Sequence, residues 1–230
     1  MLLTKDKQFY RSLLALAVPM ILQNLVTYSV GLADNLMIGS LGDAAVSGVY
    51  MGNQIQTVLQ VLSGGIEGGI LLLAAQYWGK RDTERVRRVV AVGVTFALAV
   101  GLLFSMLCSA FPAALLRIFT PEPEVIREGV NYLSFLCYSY VFFALTQALI
   151  AAMRSVEVAR VGLLVSVCSL AVDVTLNYIF IFGKLGAPAM GVRGAALATL
   201  IARITETAVI VLYVRLADKR LQFRFGALLH

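Results

Sequence analysis

Histidine is nearly absent, since the single His is the last residue, His230. That removes the commonest general base and the commonest metal ligand at neutral pH. Cysteine is scarce as well. Cys108, Cys137 and Cys168 fall in three different apolar segments and form no CxxC, so they predict neither a disulfide nor a metal site. No nucleophile elbow, His–Glu metal motif or phosphate-binding loop is found, which argues against an enzyme. Charge is the largest shortfall. Asp, Glu, Lys and Arg make up 14% of the 230 residues, where a soluble globule carries about 25%.

What the chain has instead is hydrophobic length. It is 60% hydrophobic with a mean hydropathy of +0.85. Six apolar stretches, about 12–38, 46–77, 89–110, 128–153, 161–183 and 191–216, are each long enough to cross a bilayer. The expected fold class is therefore all-α, a polytopic membrane protein with a six-transmembrane-helix bundle, forming a single lobe over residues 1–230. The first stretch is too long for the core of a signal peptide and lacks a small-residue cleavage site, so it is expected to insert and stay. Pro19 inside it predicts a kink, because proline removes one helical hydrogen bond. The run Gly64-Gly65-Ile66-Glu67-Gly68-Gly69 in the second stretch predicts close backbone approach or a bend. Tyr77 and Trp78 mark a membrane interface. Ala113–Phe119 predicts a short helix lying in the interface.

The charges that remain are unevenly placed. With six spans, 14 of the 19 Lys and Arg fall on the side of both termini and of loops 79–88 and 154–160. Arg117, Arg127, Lys184 and Arg193 fall on the other side, and Arg203 lies within a span. Basic loops stay cytoplasmic, so both termini are expected in the cytoplasm of a cell whose inner membrane holds the chain. The net charge of +6 then reports topology and contact with anionic lipid, not binding of nucleic acid.

Five ionisable residues fall inside the spans: Asp34, Glu67, Asp173, Arg203 and Glu206. Each costs roughly 3 kcal/mol or more at membrane depth and so needs a partner or a function. At 1.5 Å per residue, Asp34 lies about 7 Å, Asn177 about 9 Å and Asp173 about 15 Å below the outer surface. Ala195 and Thr199 enter from the same side to about 6 Å and 12 Å. Asp173 and Asn177 are i, i+4 and share one helix face, as do Ala195 and Thr199. Carboxylates, an amide and a hydroxyl converging there suit a hard cation or a reversibly bound proton, because oxygen ligands favour sodium and paired carboxylates resist double ionisation. The bland alternative is that each polar group hydrogen-bonds a neighbouring helix. Glu67, Arg203 and Glu206 lie toward the inner half, where Arg203 can pair with Glu206 at i, i+3 or with Glu67 as a structural lock.

Several of these stretches resemble one family. Ala17-Val18-Pro19-Met20, Asp34-Asn35-Leu36-Met37-Ile38-Gly39 and Leu41-Gly42 resemble the first helix of multidrug and toxin extrusion (MATE) transporters. Gln76-Tyr77-Trp78-Gly79-Lys80, the segment Asn177 to Gly183 and the segment Gly191 to Thr199 are similar to later parts of the same family, in the same order. The resemblance implies a cation-coupled antiporter, driven by proton or sodium, that exports organic cations by alternating access. It implies a coupling site from Asp34, Asp173, Asn177, Thr199 and the Ala195 carbonyl, with Pro19 as the point where the first helix bends. It implies no resident cofactor beyond a passing Na+ or H+. Two features depart from the family pattern. Asp173 precedes Asn177 where the family has Asn then Asp, which keeps the ligand set and reverses its order. The family also has twelve helices in two lobes, so the six here match one, and a C-terminal lobe or a second copy is the implied partner. The alternatives are a truncated, non-transporting lobe or assembly partner, and a flippase for lipid-linked glycans. The flippase ranks below because four acids against one base inside the spans do not suit a pyrophosphate.

Overall fold

The computed structural model describes residues 7–216, the side chains of Phe9 and Ser12 apart. Six long helices and one short one follow in chain order: α1 Lys7–Gly39, α2 Asp43–Gly79, α3 Thr83–Ala110, α4 Pro112–Leu116, α5 Pro123–Ser155, α6 Arg160–Phe182 and α7 Val192–Leu216. Six of them are long and apolar enough to span a membrane. The all-α, six-span expectation holds, and most helices run a few residues past the apolar stretches that announced them. The extra turns are polar: Asp43 opens α2, Glu84 and Arg85 lie in the first turn of α3, and Arg154 lies in the last turn of α5. Arg154, expected in loop 154–160, is therefore helical.

Local chemistry sets the ends. Asp82 caps α3, its side chain accepting from the Arg85 N–H at 3.1 Å. Pro123 opens α5 at a position where the missing N–H costs nothing. Gly183 closes α6 with φ 66°, a left-handed cap that glycine adopts without strain. The Met190 N–H then bonds the Phe180 carbonyl at 2.8 Å and folds the 183–191 loop back onto the helix end. Pro19 is buried, and α1 continues through it unbroken. The interfacial helix is present as α4, although it stops at Leu116.

Helix α5 is the central post, packing against α2, α3 and α7, while α6 packs on α7 and α1. Two apolar clusters hold the lobe together. One gathers Val86, Val90, Leu149, Met153, Ile210 and Val214 near the ends of α3, α5 and α7 that face loop 79–88. The other gathers Ile38, Leu59, Leu116, Leu133, Leu136 and Tyr140 toward the opposite side. Close approach of backbones occurs at Gly48, where a Cβ would lie 2.7 Å from the Gly129 nitrogen of α5. The glycine run Gly64–Gly69, expected to bring close approach or a bend, brings no close approach. At Gly64, Gly65, Gly68 and Gly69 a Cβ would meet nothing within 4 Å, so these glycines leave space on α2 and do not seat a neighbouring helix. Helix α1 is the loosest element, mostly exposed and held mainly by α6.

Candidate functional site

Two helices carry polar stripes through apolar surroundings. On α2, Asn53, Gln56, Thr57 and Gln60 recur at the three- and four-residue spacing of one helix face. On α1, Thr27, Gly31 and Asp34 do the same. The stripes face each other across a cavity of about 240 Å³, whose far wall is built from Tyr132 of α5, Ser166, Ser169 and Asp173 of α6, and Thr199, Arg203 and Glu206 of α7.

Asn177, fully buried and not itself on the cavity wall, ties together two carboxylates that are. Its amide nitrogen donates to Asp34 Oδ1 at 2.6 Å and to Asp173 Oδ2 at 3.1 Å, so one side chain on α6 ties two carboxylates from two helices. Asp173 and Asn177 are almost wholly buried, at 1% and 0% exposed. Asp173 Oδ1 and Asn177 Oδ1 have no hydrogen-bond partner. Two buried acceptor oxygens on adjacent turns of one helix form an electron-rich pair that a proton or a small cation would satisfy. Thr199 lines the same cavity beside them. Ala195 does not; it is buried in the apolar cluster one turn away. Asp34, Asp173, Asn177 and Thr199 are thus brought together, and Ala195 stands apart from the cavity wall.

The inner group is arranged differently from its expectation. Arg203 pairs with Glu206 at 2.8 Å and lies over the Phe143 ring with its guanidinium carbon 5.1 Å from the centroid. Glu67 forms no ion pair with Arg203 among the described residues. It accepts from Gln147 Nε2 at 3.4 Å and faces the charge of Arg154. Arg154 in turn donates to Gln23 of α1 at 2.8 Å. Glu206, one turn along α7, already occupies Arg203, and Glu67 shares a second cavity with Gln147 and Arg154. Arg203 and Glu206 also line the main cavity, so the two polar groups are continuous rather than separate.

Sequence reasoning missed Tyr132, whose hydroxyl donates to Asn53 Oδ1 at 3.2 Å, and the whole α2 stripe. The signal was present in the 53, 56, 60 spacing. Charge drew attention and uncharged amides did not.

The family model described as MatE matches residues 19–179. The chain is 30% identical over 216 residues to the "Probable multidrug resistance protein YoeA" of Bacillus subtilis, covering 93% of this chain and 46% of that protein. It is 29% identical over 217 residues to the "Probable multidrug resistance protein NorM" of Thermotoga maritima, covering 94% and 46%. Among solved structures, a MATE in the bent conformation superposes with a TM-score of 0.85 at 21% identity, over 94% of this chain and 48% of that one. A MOP superfamily transporter from Pyrococcus furiosus Vc1 gives 0.85 at 20% identity, over 94% and 47%. The chain spans about half the length of the curated relatives it matches.

Proposed function

We propose, for a chain that belongs to the MatE family, that this lobe carries the ion-coupling site of an efflux antiporter for organic cations. The observation that supports the reading most is the Asn177 amide joining Asp34 to Asp173, with the buried acceptors Asp173 Oδ1 and Asn177 Oδ1 left open beside it. Binding of a proton or sodium there would neutralise part of the paired negative charge and change how strongly α1 is held to α6. Helix α1 is the element suited to respond, since α6 is its main neighbour and Asp34–Asn177 is a direct polar tie between them. Pro19, one proline inside α1, is the proposed bending point. Substrate would use the rest of the cavity, where Asp34, Asp173 and Glu206 against Arg203 leave an acidic balance that favours a cation. A second six-helix lobe, from a C-terminal continuation or a second copy, would complete the transport path.

The test is fluorescent-cation efflux from proteoliposomes under imposed proton and sodium gradients, in the full transporter. Asp34→Asn and Asn177→Leu are each expected to lower gradient-driven efflux at least about tenfold, the scale of 1.4 kcal/mol lost from ion binding. Unchanged coupled efflux in a folded Asp34→Asn protein would refute the assignment.

The inner membrane and cytoplasmic termini are the proposed setting, supported by the basic side that holds loop 79–88. A cysteine placed at Ser40 should react with an impermeant thiol reagent added outside intact cells. One placed at Thr83 should react only after permeabilisation, and the reverse pattern would invert the topology.

A further inference from the structure

We propose that the lobe holds one anionic phospholipid in a groove between α2 and α3, its acyl chain over Gly69 and its phosphate at Arg88. The groove has a volume of about 390 Å³. Leu73 of α2 and Val89, Val92 and Phe96 of α3 make its walls, and Arg88 is the one charged residue that lines it. It exists because two glycines withhold side chains. Gly93 lets the Ile70 side chain lie directly against α3 as a floor, and at Gly69 a Cβ would meet nothing within 4 Å. This face is not the transport cavity. Gly69 follows the cavity-lining Gln60 by nine residues, two and a half helical turns, which places it on the opposite side of α2.

The occupant is argued from the match of an apolar slot to a basic mouth. From Arg88 to Phe96 the groove runs eight residues along α3, about 12 Å of helix, so it leads from the loop end toward the membrane interior. At its mouth, loop 79–88 holds Lys80, Arg81, Arg85, Arg87 and Arg88 against Asp82 and Glu84. Asp82 is engaged in capping α3 and in an ion pair with Arg85 at 3.1 Å. Glu84 pairs with Arg88, but both side chains are largely exposed, at 72% and 75%. Such exposed pairs are weak, so Arg88 is able to turn to a phosphate oxygen. An acyl chain alone would not use the basic mouth, and a soluble anion would not use the apolar slot. A phospholipid with a net negative headgroup uses both.

Trp78 is the only tryptophan and, nine residues from Gly69, lies on the opposite side of α2, so the reporter is Leu73→Trp, in the groove wall, in a Trp78→Phe background. The experiment reconstitutes the chain in nanodiscs containing phosphatidylglycerol or phosphatidylcholine brominated on the acyl chain. Brominated phosphatidylglycerol is expected to quench the tryptophan of Leu73→Trp at a several-fold lower mole fraction than brominated phosphatidylcholine. Arg88→Gln is expected to erase that preference, and Gly69→Leu, which places a side chain in the groove from a position with room for its Cβ, to reduce quenching to the level of bulk lipid. Equal quenching by the two lipids in the reporter chain, with Arg88 and Gly69 intact, would overturn the proposal. So would a preference that survives both substitutions, or one lost with Lys80→Gln and Arg81→Gln but kept in Arg88→Gln, which would place the phosphate on the loop instead. A neutral brominated alkane that quenches as strongly as phosphatidylglycerol would overturn the role of the headgroup.

Discussion

At the scale of single residues, the lobe separates ion pairs that neutralise each other from carboxylates that are held close without a positive partner in direct contact. Arg203 and Glu206 are of the first kind. Glu206 is 7% exposed, and its carboxylate depends on the guanidinium 2.8 Å away. Arg203→Met removes that partner and leaves a buried charge alone, a change expected to cost on the order of 3 kcal/mol. It also removes the guanidinium stacked over Phe143, which adds to the loss. Arg203→Met combined with Glu206→Leu removes both charges and is expected to recover most of the stability. Thermal unfolding of the four proteins in one detergent measures the cycle, and additive losses would mean the two residues do not act as a pair. Asp34 and Asp173 are of the second kind. Their shared donor is the neutral Asn177 amide, which supplies two hydrogen bonds and no charge. That difference is why the first pair is read as structure and the second as a place for a mobile cation.

At the scale of elements, the glycines of α2 divide by what lies opposite them. Gly48 faces α5, and a methyl group there would press on the Gly129 nitrogen and the Val125 carbonyl, both backbone atoms that cannot swing aside. Gly48→Ala is expected to destabilise by about 1–3 kcal/mol, the range for overpacking. Gly65 faces open space, so Gly65→Ala is expected to be neutral or to stabilise by up to about 1 kcal/mol through helix propensity. Thermal unfolding compares the two, and equal effects would mean that α2 and α5 are not in close approach at Gly48. The same contrast shows what a sequence carries and what it withholds. The six spans were legible because apolar length is a local property, and Gly183 closed its apolar stretch for the same reason, while the polar first turn of α5 from Pro123 lay outside the stretch that began at 128. The meeting of Asp34, Asp173, Asn177 and Thr199 was legible because depth in a bilayer follows from counting along each span. Which neighbour each helix faces is not local. Close approach, one of two readings of the glycine run, is therefore not found, and the bonds of Glu67 to Gln147 and of Arg154 to Gln23 went unforeseen, the latter across 131 residues of chain.

At the scale of the whole molecule, the described helices form one body in which α5 touches α2, α3 and α7, and only α1 is loosely attached. Alternating access needs more than that. A cavity opens to one side and then the other when two packed bodies rock against each other, or when one gates the other. Bending of α1 alone, as proposed, would change the polar end of this cavity but would give a substrate no second wall to close against. Gradient-driven efflux is therefore expected to require a second lobe, whatever its source. The prediction is tested by reconstituting the 230-residue chain across a dilution series, from many copies per vesicle to one, and measuring fluorescent-cation efflux per copy. Vesicles with a single copy are expected to be inactive. Efflux that appears only in vesicles with two or more copies would identify a second copy as the missing wall, and no efflux at any density would assign that role to a different six-helix lobe. Full efflux from single copies would show that one lobe transports alone, and the requirement for a second would be wrong.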